Sequence, residues 1–564
     1  MSLQFITGNS GNGKTKYLFN RIVKEAKANP RDNYLVIVPE QFTMQTQRQL
    51  VDLSENKAIM NIDVLSFKRL AYRVFDELGI TNLTVLEETG KNLVLRKLAA
   101  QEADKLGVIG RNLNRIGYIS EVKSLLSELV QYNISPEELG RYIASGRLSD
   151  TLSDKLKDVL VLYEAFEKFM KDKYITAEEI LNVLSNVAEE SAILRNSVIA
   201  FDEFTGFTPI QNQLIKKLFV ISKKIYVTLT IDCREDIFKS RGMQELFDMP
   251  KRTVKSLTEM AAFYGIEVEE PIILDKNYRL AENEELSFME QQLFRKRRCS
   301  FKKVPKHIHI DCLRDPKQEL TKIARRINEL VRNENLRYRD IAIVTGDVNI
   351  YAGYVREIFD KYNIPYFIDA TQEILFHPFI EFIRSIPDIA AQNFSADAVF
   401  RFLRCGFSEL LDSEIDVLEN YVLACGVRGK SAWDKKWVRL PKHKAGYDIE
   451  LLNQSREYIM ELLKPVYQVF SDKKSTVKDY VLAIYKLIVL LDIPDKLAKK
   501  EQALLDAGDQ TASKEYGQIY KIVMQLFEKY VAVLGDECMD AEEFTQILDA
   551  GLDAADVAVI PPGY

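Results

Sequence analysis

The feature that most constrains the fold of this chain lies in its first thirty residues. An apolar run at 3–7 (LQFIT) predicts a buried strand, and the segment from Lys14 to about Ala28 has the periodicity of an amphipathic helix. The residues between them, 8–15 (GNSGNGKT), match the G-x-x-x-x-G-K-[ST] pattern of a phosphate-binding loop. Because such a loop joins a strand to a helix, we expect an α/β fold with parallel strands.

Each part of this loop has a role in binding a nucleotide. Glycines let backbone N–H groups turn toward phosphate oxygens, and the helix N-terminus adds a partial positive charge. Lys14 is expected to reach the β- and γ-phosphates, and Thr15 to bind Mg²⁺. A glycine-rich turn without a ligand is the simpler alternative, which the flanking strand and helix disfavour. The predicted nucleotide-binding residues are Gly8, Asn9, Ser10, Gly11, Asn12, Gly13, Lys14 and Thr15.

An acidic pair predicts the metal-binding side of the same site. Residues 197–201 (SVIAF) predict a strand, and Asp202 and Glu203 follow it. Asp202 is expected to hold Mg²⁺ with Thr15, and Glu203 to orient the attacking water. Taken alone, two carboxylates after a strand are most often a solvated strand end, and the phosphate-binding loop favours the metal site. The stretch between loop and acidic pair is too long for one βαβ crossover, so a large insertion is expected.

The order of predicted elements indicates two α/β domains, each interrupted by helices. Strands are expected at 34–38, 62–65, 198–201 and 224–231, and again at 307–312 and 341–344. Helices are expected at 91–100, 119–130, 156–169, 316–333 and 350–362, and throughout 400–550. The predicted domains are 1–80 with 190–285, and 286–395 with 551–564; the helical insertions are 81–189 and 396–550. The apolar run 557–560 so near the last residue predicts that the second domain is truncated.

Composition excludes several classes of protein. With 47% hydrophobic and 28% charged residues, the chain is too apolar to be disordered. It has no run of about 18 apolar residues and no signal-peptide pattern, which predicts a cytoplasmic protein with no membrane contact. The six Cys lack C-x-x-C spacing and predict reduced thiols, and the four His predict no metal site. Because the net charge is −6, any DNA contact has to come from a local patch.

Further motifs, in order along the chain, resemble those of the UvrD-like superfamily 1 helicases. Residues 202–211 (DEFTGFTPIQ) resemble D-E-F-Q-D-T-N-x-x-Q, with Thr205 and Gly206 replacing Gln and Asp. Residues 232–242 (DCREDIFKSRG) are similar to D-x-K-Q-S-I-Y-x-F-R-G. There Glu235 replaces the nucleotide-sensing Gln, and Ser240 replaces a base-stacking aromatic.

Two more segments extend the resemblance over most of the chain. Residues 274–279 (LDKNYR) match L-x-x-N-Y-R, whose arginine, here Arg279, is implied to touch the γ-phosphate from across the motor cleft. Residues 340–344 and 363–368 resemble the second motor domain. The resemblance implies an α/β fold of two RecA-like parallel-sheet domains, each with a large helical insertion. The family's glutamine-bearing adenine motif is absent ahead of the loop, and its last motifs would lie beyond residue 564.

Three segments narrow the resemblance to the AddB family, the B-type subunits of bacterial ATP-dependent helicase–exonucleases: residues 38–43 (VPEQFT), 64–70 (VLSFKRL) and 201–209 (FDEFTGFTP). This resemblance implies ATP and Mg²⁺ as cofactors, and a heterodimer with an AddA-type subunit that carries the principal motor. It implies action on single-stranded and double-stranded DNA in double-strand-break repair by homologous recombination, with the AddB-type chain scanning for a hotspot sequence. A nuclease region with an iron–sulfur cluster is implied only beyond residue 564. The implied catalytic residues are Lys14, Asp202, Glu203 and Arg279.

The same resemblance implies where single-stranded DNA would lie. In these helicases it crosses the segments that follow the second and third strands of the first motor domain. Aromatic faces stack on unpaired bases for about 1–3 kcal/mol each, and arginine contacts phosphates or guanine edges. Core packing is the alternative for Phe67 and Tyr72. The predicted DNA contacts are Gln41, Thr43, Phe67, Arg69, Tyr72 and Phe207.

Several alternatives stay open. The basic run 295–298 (RKRR) is either a solvated linker or a contact to phosphate or to a partner protein. Trp433 and Trp437, among lysines, are either a nucleic-acid patch or helix core. The chain as a whole is either the helicase-like subunit described above, an independently active ATP-driven DNA helicase, or a non-catalytic DNA-binding scaffold with a relic loop.

Overall fold

The computed structural model describes residues 1–80, 85–86, 88–110, 118–146, 148–171, 174–295, 299–369, 372–373, 376–440, 447–553 and 556–557. The chain divides into two compact units. Unit 1 comprises Met1–Leu86, Ser124–Leu148 and Glu167–Asp311, and unit 2 comprises Glu87–Lys123, Ser149–Phe166 and Cys312–Tyr564. The predicted insertion 81–189 contributes residues to both units, and the predicted domain boundaries stay predictions.

The strands are β1 Ser2–Gly8, β2 Tyr34–Ile37, β3 Ile62–Leu65, β4 Val85–Leu86, β5 Ile175–Thr176, β6 Val198–Phe201, β7 Lys224–Thr230, β8 Glu267–Val268, β9 Ile272–Leu274, β10 Gln372–Glu373 and β11 Asp556–Val557. Five of these confirm the strands predicted at 3–7, 34–38, 62–65, 198–201 and 224–231.

The helices are α1 Lys14–Ala28, α2 Thr43–Leu53, α3 Phe67–Leu78, α4 Glu88–Gln101, α5 Tyr118–Gln131, α6 Pro136–Ala144, α7 Asp150–Met170, α8 Ile180–Val187, α9 Pro209–Ile221, α10 Asp248–Phe263, α11 Glu284–Gln292, α12 Pro316–Asn333, α13 Val348–Lys361, α14 Pro378–Ala391, α15 Ala396–Leu403, α16 Asp412–Cys425, α17 Lys430–Asp434, α18 Ile449–Ser471, α19 Val477–Leu490, α20 Ile493–Asp506, α21 Gln510–Leu534 and α22 Ala541–Asp553. The helices predicted within both insertions and at 316–333 and 350–362 are confirmed.

Unit 1 is built on a parallel sheet of seven strands in the order β3-β2-β6-β7-β1, with β8 and β9 both pairing with β1 at the far edge. All neighbours in this sheet are parallel. The central strands are buried almost throughout, as expected for a parallel sheet covered on both faces. The α/β fold class is confirmed by this sheet and the many helices.

Alternation along each strand divides the core of unit 1 between the two faces of the sheet. Leu35 and Ile37 of β2 pack in one hydrophobic cluster with α3, α8, α9 and α10. Tyr34 and Val36 of the same strand point to the opposite face, where α1 and α2 cover them. Helices on both faces leave the carboxyl edge of the sheet free for the loops that carry the candidate site.

Unit 2 is mainly helical. One hydrophobic core joins α14–α22 and Leu93 of α4, and a smaller one joins α12 to α13. The strands predicted at 307–312 and 341–344 are wrong, because these residues pair with no strand. Ile310 and Val344 are 94% and 93% exposed, so these two apolar side chains have no core to pack against, whereas Ile341 packs against the smaller core without forming a strand. β10 and β11 form a short antiparallel pair instead, and residues 558–560 of the predicted last strand lie outside the described residues.

Trp433 and Trp437 belong to the core of unit 2. Both indole rings are buried and lie 5.3 Å apart, and Arg456 donates to the backbone oxygen of Trp433 over 2.8 Å. The helix-core alternative is therefore confirmed for these residues. Within the described part of the chain, no helix has the length and apolar character needed to cross a membrane.

The stability of unit 2 is expected to depend on pH through His377. This buried imidazole caps α14 by accepting a hydrogen bond from the N–H of Phe379, and burial lowers its pKa to about 4. Because the folded state disfavours protonation, stability falls as the pH drops from about 6.5 toward 4. We expect a loss of about 1.2 kcal/mol between pH 7 and 5.5. His377→Asn keeps a side chain that can cap α14, but it has no imidazole to titrate. In thermal unfolding at several pH values, the stability of this variant should fall less with decreasing pH than that of the parent. An identical pH dependence in the variant and the parent contradicts the assignment to His377.

Candidate functional site

The loop predicted to bind phosphate lies between β1 and α1, the position that its sequence pattern predicts, and it is called the phosphate-binding loop below. Gly11 and Gly13 have φ values of 88° and 79°, a region that side chains other than glycine rarely adopt. A Cβ at Gly11 would lie 2.8 Å from both the Cβ of Arg279 and Oδ1 of Asn277. The backbone of the loop is therefore fixed in a curled conformation that only glycine allows at this position.

Lys14 lies at the start of α1 with its amine inside the loop. Its Nζ donates to the backbone oxygen of Asn9 over 3.0 Å. Burial lowers the pKa of Lys14, while the negative charges of Glu203 and Asp202 act in the opposite direction. The amine is thus held among backbone groups at the position where a phosphate oxygen would accept its hydrogen bonds.

The acidic pair, Asp202 and Glu203, meets the loop at Thr15. The Thr15 hydroxyl lies 3.3 Å from Oδ1 of Asp202 and 3.3 Å from Oε1 of Glu203. Asp202 is 1% exposed, accepts a short hydrogen bond from Thr228, and its Oδ2 has no partner among the described residues. Burial raises the pKa of this carboxyl.

These groups fit a magnesium ion. Mg²⁺ prefers oxygen ligands and is usually held by one or two carboxylates together with substrate phosphates. The unpartnered oxygen of Asp202 and the hydroxyl of Thr15 supply such ligands, and a cation there would balance a carboxylate that burial disfavours. No group of three His, Cys, Asp or Glu side chains with metal-binding geometry occurs in the described ranges, so a metal held by protein side chains alone is not seen there.

Arg279 reaches the loop from the same sheet. β9 pairs with β1 from Ile6 to Gly8, and the residues after β9 lie directly against the phosphate-binding loop. Asn277 Nδ2 donates to the Ser10 backbone oxygen over 2.9 Å, and Arg279 Nη1 lies 3.4 Å from Ser10 Oγ. The implied approach from across a motor cleft is therefore not the arrangement in this structure, because the preceding strand belongs to the sheet of unit 1.

A cleft of about 830 Å³ opens between these elements. It is lined by Lys14, Thr15, the acidic pair and Arg279, together with Gln45 and Gln49 of α2. Its volume lies within the range of small-molecule sites, about 300–1,000 Å³. All predicted catalytic residues thus meet in one cleft.

Two ion-pair networks that involve the segment after β7 were not predicted. Glu235, which replaces the family's glutamine, pairs with the buried Lys251 over 2.7 Å. Asp232 accepts hydrogen bonds from Arg234 and Arg295. Burial raises the pKa of Asp232, but the two guanidinium groups outweigh it and hold the pKa at about 2. Arg295, the first residue of the basic run, is therefore engaged within unit 1, and residues 296–298 lie outside the described part of the chain.

Asn9 is a further residue whose contacts sequence reasoning missed. Its side chain is buried, accepts from the backbone N–H of Cys233 over 3.0 Å, and donates to Glu290 of α11 over 2.5 Å. It ties the phosphate-binding loop to the segment after β7 and to α11. No local pattern could have indicated these contacts, because Glu290 lies 281 residues away in sequence.

The six predicted DNA contacts differ in exposure. Gln41 is exposed, and so are Arg69, 4.0 Å from Glu40, and Tyr72, which is 39% exposed. Thr43 is buried and donates to the backbone oxygen of Glu40.

The remaining two lie in one aromatic group: Phe67 is only 8% exposed, and Phe207 is half-buried. The ring of Tyr72 is therefore accessible to a base from solvent. The ring of Phe67 cannot stack on a base unless it leaves the aromatic group in which it is buried. The outward residues Gln41, Arg69 and Tyr72 follow the carboxyl ends of β2 and β3, at the same edge of the sheet as the cleft.

One exposed aromatic at this edge was missed. Phe238 lies in the segment after β7 and is 46% exposed, and the side chains of Lys239 and Arg241 are 81% and 72% exposed. The motif comparison expected an aromatic at Ser240, two residues later. The sequence signal for Phe238 is its alignment with the tyrosine of D-x-K-Q-S-I-Y-x-F-R-G.

Comparisons with known proteins agree with the sequence motifs. A family model described as "ADDB, N-terminal" matches residues 5–290. The chain is 38% identical to the B subunit of the ATP-dependent helicase/deoxyribonuclease from Lachnoclostridium phytofermentans over 572 residues, and 33% identical to that from Caldanaerobacter subterraneus over 574 residues. The protein of the same name from Clostridioides difficile is 31% identical over 576 residues. These alignments cover all of this chain but 50%, 49% and 49% of the relatives, so the chain spans about half their length.

Proposed function

The chain belongs to the family of AddB N-terminal regions, and from this premise we propose that it is the helicase-like part of the B subunit of an ATP-dependent helicase/deoxyribonuclease. In this proposal unit 1 binds Mg²⁺–ATP in its cleft and single-stranded DNA along the carboxyl edge of its sheet. An AddA-type subunit is the proposed partner, in a complex that processes double-strand breaks for homologous recombination.

One observation carries the nucleotide part of the proposal: the Thr15 hydroxyl lies within 3.3 Å of both members of the acidic pair, beside the Lys14 amine. A magnesium ion bound there would neutralise charge on the phosphates. Lys14 and the loop N–H groups would hold phosphate oxygens, and Arg279 stands at the outer side of the loop. Glu203 has an exposed carboxylate facing the cleft, which suits it to accept a hydrogen bond from an attacking water.

The DNA part of the proposal is supported by the surface after β2, β3 and β7. Gln41, Arg69 and Tyr72 face solvent there, and Phe238 with its basic neighbours extends the surface. Aromatic faces and arginines on one edge are the combination that binds single-stranded DNA with little sequence preference. Scanning for a hotspot sequence would add base-edge contacts, for which Gln41 has a suitable amide.

Arg69→Ala is expected to weaken binding of a labelled oligothymidine by about 3- to 10-fold at low salt, because one phosphate contact is lost. The slope of log K against log salt concentration should fall by about one. Fluorescence anisotropy at several salt concentrations measures both quantities. Arg31→Ala, an exposed arginine in the turn before β2 at the opposite edge of the sheet, is the matched control and should leave both unchanged. An Arg69→Ala slope equal to that of the parent contradicts this DNA path.

A non-catalytic scaffold is the second candidate, and one observation favours it. Glu235 stands at the position of the nucleotide-sensing glutamine and is engaged by Lys251. An ATPase assay on the complex separates the candidates: turnover lost on mutation of Glu203 supports a working site, whereas nucleotide binding without turnover supports the scaffold. DNA-stimulated turnover by this chain without a partner would instead support an independent helicase.

A further inference from the structure

Four phenylalanine rings pack against one another beside the backbone of the acidic pair, and we call them the ring cluster: Phe67, Phe201, Phe204 and Phe207. Phe201 ends β6 and directly precedes the acidic pair, and Phe204 directly follows it. Phe67 is the first residue of α3 and comes from a distant part of the sequence. The cluster therefore joins the two residues that flank the acidic pair to the start of a helix that carries the proposed DNA contacts.

Each ring of the cluster contacts the other three, and Phe67 is the only member that comes from α3. Its ring centroid is 5.8 Å from that of Phe201 in a stacked arrangement, 5.6 Å from Phe204 and 6.4 Å from Phe207. The side chain is 8% exposed, so the contacts are shielded from water. Closely packed rings transmit a displacement because the interior has little free volume to absorb it.

Phe67 is also the first residue of the helix that carries two of the proposed DNA contacts. Ser66 caps α3 by accepting a hydrogen bond from the N–H of Arg69 over 3.3 Å. Arg69 and Tyr72 point to solvent from the first turns of the same helix. Binding of DNA to these two side chains would therefore act on the helix whose first residue is Phe67.

The acidic pair is sensitive to such a displacement. Glu203 has a φ of 64°, a left-handed backbone conformation that is uncommon for residues other than glycine. Its carboxylate lies 3.3 Å from the Thr15 hydroxyl, and because Phe201 and Phe204 flank the acidic pair in the backbone, a displacement of these rings that shifts the backbone would change that distance.

We propose that Phe67 is a positioning residue through which single-stranded DNA on α3 changes the affinity of the cleft for Mg²⁺–ATP. This inference rests on the proposed function and deepens it, since it assigns the coupling between the two binding events to one buried ring. Phe67 touches neither ligand and acts by holding Phe201 and Phe204 beside the acidic pair.

The test measures the Kd of a fluorescent, non-hydrolysable ATP analogue with Mg²⁺, without and with saturating oligothymidine, on the full chain. In the parent we expect the two Kd values to differ at least about fivefold. In Phe67→Leu the ratio should fall below about 2, while the Kd without DNA changes by less than about threefold. A purely structural role would alter both Kd values together and leave their ratio unchanged.

Phe75→Leu is the matched control. Phe75 is 3% exposed in the same helix and packs against Tyr72, outside the ring cluster, so its variant should keep the parent ratio. Phe207→Leu removes a half-buried ring of the cluster and should reproduce the loss of coupling if Phe67→Leu does not fold. A parent ratio of one, or an unchanged ratio in the ring-cluster variants, overturns the inference and leaves the proposed function standing. A parent that binds neither ligand overturns both.

Discussion

Replacing Lys14 with alanine is expected to weaken binding of Mg²⁺–ATP by about 30- to 100-fold, the largest single loss we predict. The Lys14 amine lies inside the phosphate-binding loop and donates to a loop carbonyl, so it is already placed for a phosphate oxygen. Hydrogen bonds to charged groups contribute about 1.5–3 kcal/mol each, and each 1.4 kcal/mol is a factor of ten in Kd. Isothermal titration calorimetry with a non-hydrolysable ATP analogue measures the loss.

The control for this prediction is Lys24→Ala, an exposed lysine on the same helix. It removes the same charge from the chain without touching the loop, and its Kd should match that of the parent. If Lys14→Ala binds the nucleotide as tightly as Lys24→Ala, the loop does not hold the phosphates. The melting temperature of both variants, measured beforehand, shows that the comparison is between folded proteins.

Replacing Asp202 with asparagine is expected to have two effects of opposite sign. The Mg²⁺-dependent part of nucleotide affinity should fall by about 10- to 100-fold, since even indirect partners of a metal contribute that much. The nucleotide-free protein should become more stable at neutral pH. Burial raises the folded-state pKa of Asp202, so the folded protein favours the protonated carboxyl. The contribution of Asp202 to folding stability is therefore present at low pH and is lost as the pH rises through the folded-state pKa.

Asparagine avoids this loss because it is uncharged at every pH and its Oδ1 can still accept from Thr228. Thermal unfolding with and without nucleotide separates the two effects. The variant should melt higher than the parent without ligand and gain less from Mg²⁺–ATP. Asp248→Asn is a matched control, since Asp248 is also buried but pairs with Arg252 outside the loop. A lower melting temperature for ligand-free Asp202→Asn contradicts the account of this carboxylate.

The geometry of the candidate nucleotide site was predictable from sequence because its parts are local. The loop, the strand before it and the helix after it are contiguous, and their conformations follow from glycine and from hydrophobic periodicity. The acidic pair could be assigned because it directly follows an apolar strand, and parallel strands bring their carboxyl ends to one edge. Arg279 was assigned to the site by its motif, although its approach through β9 was not foreseen.

The rest depended on contacts between residues far apart in sequence. Phe67 looked like a surface aromatic beside a strand, but the phenylalanines that bury it come from residues 201–207 and meet it only in the folded chain. Lys251 carries no signal of its pairing with Glu235. Residues 341–344 were predicted as a strand from their apolar side chains and form none. An apolar segment forms a strand only where a neighbouring strand pairs with it.

The measurement that tests the central claim most directly is a titration of the parent chain with a fluorescent ATP analogue, in Mg²⁺ and again in EDTA. The account predicts saturable binding of one nucleotide per chain that unlabelled ATP displaces and that weakens when Mg²⁺ is removed. It places that nucleotide against Lys14, Thr15 and Asp202. Absence of saturable binding, or binding indifferent to Mg²⁺, would contradict the assignment of the cleft in unit 1.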